Sequence, residues 1–172
     1  MTVNIFAGRI LGPFEFGRYS MILAIAQFFG IPMLLGVDTA LARFVAVHHS
    51  DVSRKVSYIS SSLWIVFCST SVVFGISFLF FNILLRITGA DTRLLLTAML
   101  FTVLLSYKAI ADGFIRGLEE FRFQTMVRIV ESFIVLFGFS IFAYHSFVTY
   151  DSVVFASSIG AGFTIMSYLY IY

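Results

Sequence analysis

The chain alternates between long apolar runs and short polar links. A helix that crosses a bilayer needs about 20 mostly apolar residues. Five runs are candidates: about Phe16 to Val37, Val56 to Leu85, Leu94 to Phe114, Phe123 to Tyr144, and Val153 to Tyr172. The links between them read HHSDVSRK, RITGADTR, RGLEEFR and SFVTYDS, and links this short favour antiparallel neighbours. No run alternates strictly, and an open sheet in lipid would leave backbone groups unpaired, which argues against strands. The expected fold is all-α, a polytopic transmembrane helix bundle of about five spans. Met1 to Leu11 is apolar but too short to cross, and reads as the tail of a truncated N-terminal helix. The last run reaches Tyr172 with no trailing link, so both ends read as cut. The alternative is a complete small protein whose first segment lies in the membrane interface.

Composition strengthens the membrane reading. The 172 residues are 60% hydrophobic and 12% charged, against roughly 25% charged in soluble domains. A water-soluble domain of this size could not hide so much apolar surface, whereas lipid lets greasy side chains, 22 phenylalanines among them, face outward. The net charge of +2 is dispersed, with no basic block for nucleic acid, and hydrophobicity along the whole length is more than a peripheral anchor needs. Cys68 is the single cysteine and cannot form an internal disulfide. The start, MTVNIFAGRI, lacks the parts of a signal peptide, leaving targeting to the spans. No Walker loop, GxSxG, HExxH or Gly-rich dinucleotide turn is present, so neither an enzyme nor a cofactor is expected. His48 and His49 are adjacent and point to different faces of a helix, with Asp51 their nearest acidic neighbour, a poor set for a metal.

Charge also suggests orientation. Arg43, Arg54, Lys55, Arg116, Arg122 and Arg128 flank one side of the spans, against Arg9, Arg18, Arg86 and Arg93 on the other. That bias puts the links after the first and third spans in the cytoplasm.

The third span breaks the apolar pattern. Its clean stretch, LLLTAMLFTVLLSY, is about 14 residues, too short to cross, so Lys108 and Asp112 must lie within the helix or at its edge. Lys108, Asp112 and Arg116 follow at i, i+4, i+8 and form one stripe. A charge at mid-bilayer costs at least about 2.5–3.5 kcal/mol, which pairing Asp112 with Lys108 or Arg116, or a wet cavity, would lower. The stripe is either a polar path for an anionic headgroup or a helix end with Lys108 snorkelling to the interface. Arg128 and Glu131, three apart, could pair on one face of the fourth span, and the favoured account of these charges is a structural ion pair between helices. Gln27 and Pro32 interrupt the first span, Pro32 as a potential kink. Asp38 is a candidate cap for a helical stretch through His48 that prolongs the first span or lies in the interface. Gly160 and Gly162 suit close helix packing.

Three stretches resemble the N-terminal half of polysaccharide exporters of the multidrug/oligosaccharidyl-lipid/polysaccharide superfamily, which includes O-antigen flippases. They are RILGPFEFGRYS (Arg9 to Ser20), LLGVDTALARFVA (Leu34 to Ala46) and RGLEEFRFQTMVRI (Arg116 to Ile129). The resemblance implies a two-bundle transporter, with residues 1–172 forming most of the first bundle. It implies alternating access that flips a polyprenyl-pyrophosphate-linked oligosaccharide across the cytoplasmic membrane, among other envelope-polysaccharide assembly proteins, and a fragment inactive alone. The motifs assign no residue roles. Charge within the membrane nominates Arg43, Lys108, Arg116 and Arg128 for the headgroup, with Asp112 and Glu131 as partners or ion-coupling groups. Two alternatives stand: a non-catalytic membrane subunit or scaffold, and a polysaccharide polymerase or ligase. The latter would want a large extracytoplasmic loop, and no link here exceeds about 15 residues.

Overall fold

A computed structural model describes residues 12–48, 51–144 and 150–171. The segment Met1 to Leu11 (with Arg9) and His49 lie outside the described residues. The helices run α1 Gly12–Leu34, α2 Val37–Val47, α3 Val52–Leu79, α4 Phe81–Thr88, α5 Thr92–Gly117, α6 Phe121–Tyr144 and α7 Tyr150–Ile171. Among the described residues there is no strand, and the all-α expectation stands. Three helices, Gly12–Leu34, Ser53–Leu79 and Thr92–Gly117, are both long and apolar enough to cross a membrane. With 24 and 22 residues, α6 and α7 also have the length a span of about 20 residues requires.

The first expected span ends three residues early, with α2 covering the helical stretch expected from Asp38 to His48, and the second is divided. The first breaks at Leu35 and Gly36, whose φ values of 48° and 74° lie in the left-handed region. Glycine tolerates that conformation and leucine does not readily, so the break holds a strained residue. Pro32 stays inside α1, one turn before the break, rather than ending the helix itself. The second span, expected to run unbroken to Leu85, stops at Leu79 and restarts as the short α4. Gly89, at φ 62°, then closes α4 in a left-handed cap, the usual use of glycine at a helix C-terminus.

α5 is the central rod and touches α1, α2, α3, α6 and α7. α1 buries Tyr19, Ile22, Ala26, Phe29 and Met33, spaced three and four apart, so a single stripe faces inward. These side chains pack with Leu94, Leu95, Ala98, Met99 and Phe101 of α5 and Val153 of α7. A second cluster, at the other end of α5, joins Leu41 and Val45 of α2 with Ile110, Ile115, Val127 and Tyr168. Outward-facing positions remain greasy: Phe28, Ile31, Phe78, Leu79, Phe133, Phe137 and Met166 are exposed. In water such a surface would drive association; against lipid chains it is the expected covering.

The hydroxyls of these helices are mostly satisfied locally. Thr102 donates to the Ala98 carbonyl, Ser106 to Thr102, Ser158 to Val154 and Thr164 to Gly160, each four residues back. This back-bonding removes polarity that lipid or core could not solvate.

Candidate functional site

The charges of α5 are satisfied across helices, not along one. α5 and α6 run antiparallel, so positions four apart on one meet positions three apart on the other in reverse order. Lys108 bonds Glu131 directly. One turn on, Asp112 sits 3.5 Å from Arg128. Tyr168 of α7 donates its hydroxyl to the same Asp112 carboxylate at 3.1 Å. Arg116 reaches Asp38 of α2 at 3.1 Å, while its Nε donates to the Asp112 carbonyl oxygen at 3.3 Å. Side-chain exposures of 19% for Lys108 and 15% for Glu131 and Asp112 put these three side chains inside the bundle, whereas Arg128 is 57% and Arg116 39% exposed.

This arrangement corrects three expectations. Arg128 and Glu131 do not pair with each other; each instead forms an ion pair between helices, reaching across to α5. The Asp112 carboxylate pairs with neither Lys108 nor Arg116, because residues on its own stripe are held by partners from α6 and α2. Asp38 is not a cap: Gly36 occupies the cap position with no side-chain bond, and Asp38 lies in the first turn with its carboxylate on Arg116. Arg43 stands apart, exposed on α2 and without an ion pair among the described residues. His48 places Nδ1 3.2 Å from the Phe44 carbonyl oxygen and its ring beside Tyr58.

Gly113 and Gly117 make the Asp38–Arg116 bridge possible. A Cβ at Gly113 would collide with the Asp38 carbonyl oxygen, and one at Gly117 would come within 2.6 Å of the Ala42 carbonyl oxygen. The backbones of α2 and α5 therefore touch, as small residues four apart allow in membrane helices. The Gly-x-x-x-Gly spacing within GFIRG carries that signal in the sequence, although the glycines singled out above were others. Gly160 does meet α6, where a Cβ would approach Val135 Cγ2 at 2.7 Å; Gly162 faces open space.

The site thus consists of three carboxylates and three cations, mutually neutralised, on three helices of a multi-pass bundle, with the Tyr168 hydroxyl added from a fourth. A helical membrane protein with cross-helix ion pairs is the class this geometry defines. The chain belongs to the polysaccharide biosynthesis protein family, whose model matches residues 1–172. No curated protein and no solved structure matches it.

Proposed function

We propose that this chain forms most of one half of a non-enzymatic carrier, which moves a polyprenyl-pyrophosphate-linked oligosaccharide across the cytoplasmic membrane by alternating access. Family membership over the whole chain supports a role in polysaccharide biosynthesis. The observation that carries the finer reading is the ladder of Asp38–Arg116, Asp112–Arg128 and Lys108–Glu131. Ionised groups inside a membrane bundle are expensive, and they characteristically mark paths for polar cargo or ions.

A neutral ladder handles an anionic headgroup by exchange. Guanidinium presents the same planar fork to a phosphate as to a carboxylate, so pyrophosphate can take the place of Asp38 on Arg116 or of Asp112 on Arg128. Lys108 offers a point charge in the same way, and the exposed Arg43 provides an initial contact. When its cation turns to the cargo, Asp112 or Glu131 is left without its partner and takes up a proton or a metal cation, which couples cargo movement to ion movement.

In the full-length protein, Lys108→Ala and Asp112→Ala should each reduce surface polysaccharide per unit of protein remaining in the membrane. Unchanged export in both variants would remove the ladder from transport. The neutrality of the ladder favours one rival, a membrane scaffold in which these pairs only join helices. On that reading a charge-swapped pair, Lys108→Glu with Glu131→Lys, exports normally; on the carrier reading it restores folding and not export.

A further inference from the structure

An open cavity of about 710 Å³ lies between α3, α5 and α7, with Tyr168, whose hydroxyl bonds Asp112, in its wall. Its walls are almost wholly apolar, with Ile59 and Leu63 from α3, Leu104 and Phe114 from α5, and Ile165 from α7. The charged lining residue is Lys55 in the first turn of α3, which has no ion-pair partner among the described residues; its neighbour Arg54 is held by Asp51. We propose that this groove binds one acyl chain of an anionic phospholipid from the surrounding bilayer, with the phosphate headgroup on Lys55.

Size, depth and charge point to that occupant. The volume falls within the ~300–1,000 Å³ typical of ligand sites. At 1.5 Å per residue, Lys55 to Leu63 spans about 12 Å along α3, and Leu118 to Leu104 about 21 Å along α5. One leaflet of a ~30 Å hydrocarbon core is about 15 Å deep. The groove therefore runs from a helix end to the middle of the bilayer, the path of a single lipid chain. A cation at the shallow end and hydrocarbon-lined walls below it match an anionic amphiphile in polarity as well as length. The Lys/Arg count places this end in the cytoplasm, where anionic lipid gives the leaflet a negative surface. The inference needs only that the helices lie in a bilayer and is independent of what the protein carries.

Trp64 is the single tryptophan of the chain, and it lines an adjoining cavity that shares Leu63 and Tyr107 with the groove. Its fluorescence reports nearby brominated lipid. The chain is reconstituted in phosphatidylcholine vesicles containing a small, equal mole fraction of either brominated phosphatidylglycerol or brominated phosphatidylcholine. A preference of about fivefold for the anionic lipid is expected, the enrichment one lysine near the surface provides. Lys55→Gln should abolish the preference, Lys55→Arg should keep it, and Ala111→Phe, which fills the groove, should weaken quenching by the anionic lipid, all at unchanged helical circular dichroism. Equal quenching of the unmodified chain by both lipids would overturn the proposal, as would a preference that survives Lys55→Gln or is untouched by Ala111→Phe. Shielding of Trp64 from both lipids, together with cross-linked dimers, would overturn it in favour of a second copy seated in the groove.

Discussion

The two ends of the bundle use the same chemistry at different depths. Where α1, α5 and α7 begin, Arg18 pairs with Asp91 at 2.9 Å, and Glu15 accepts the Tyr150 backbone N–H at 2.9 Å. In that pair Asp91 is 67% and Arg18 33% exposed. At the opposite end the ladder holds its ions among α2, α5, α6 and α7, and the backbones of α2 and α5 touch at Gly113 and Gly117. Geometry alone would rank the pairs alike. The burial of the Lys108–Glu131 pair and the backbone contact at Gly113 and Gly117 decide that one end is fastened weakly by charge and the other strongly.

Breaking the inner end should have the largest effect. Lys108→Met leaves the Glu131 carboxylate enclosed without its cation, and removing one partner of a buried pair destabilises by about 3–5 kcal/mol. The midpoint of thermal unfolding in mild detergent should fall sharply, and the swapped pair Lys108→Glu with Glu131→Lys should recover most of the loss. Next comes Gly113→Ala, which must push α2 off α5; overpacking of this kind costs about 1–3 kcal/mol. Gly162→Ala on α7 is the matched control, since its Cβ meets nothing and alanine is the better helix former by about 1 kcal/mol. Unfolding midpoints that moved equally for the two alanines would contradict the backbone contact.

The outer end should respond less. Arg18→Ala removes an exposed pair worth about 0–1 kcal/mol, and added salt should shrink even that difference. The smallest effect belongs to Asp51, in the link before α3. The Ser53 hydroxyl and the Arg54 backbone N–H bond its carboxylate and hold its pKa below the usual carboxylate value. A lowered folded pKa means that the stabilisation is present in full above the unfolded carboxylate pKa and is lost as pH falls through the folded value. Hydrogen exchange at the first turn of α3 should accelerate over that acidic window, and Asp51→Asn should flatten the response.

The sequence reveals the rods more readily than their contacts. Apolar runs bounded by polar links located α1, α5, α6 and α7 to within a few residues, because lipid demands long apolar helices and punishes exceptions. The division at Phe80 was not legible, since hydropathy stays high across it, whereas the break at Leu35–Gly36 falls within two residues of the expected end of the first run at Val37, and α2 covers the helical stretch read from Asp38 to His48. Among the charges, the stripe of Lys108, Asp112 and Arg116 was visible as an exception to the pattern. Its partners were not: Glu131 is 23 positions from Lys108, and Asp38 is 78 from Arg116. Short-range spacing allowed Arg128 with Glu131, and antiparallel packing against α5 overrode it. Gly113 and Gly117 could have been found, as their spacing is a recognised signal for close helix contact.

The ladder also constrains how the chain is made. A helix whose hydroxyls already bond their own backbone can leave the translocation machinery alone and wait in lipid for its neighbours. α5 cannot wait in that way, because Lys108 and Asp112 would stand in hydrocarbon until Glu131 and Arg128 arrived. Only Leu118, Glu119 and Glu120 separate α5 from α6, so the two helices are suited to leaving the translocon together as one hairpin, its opposite charges matched before either meets the oil.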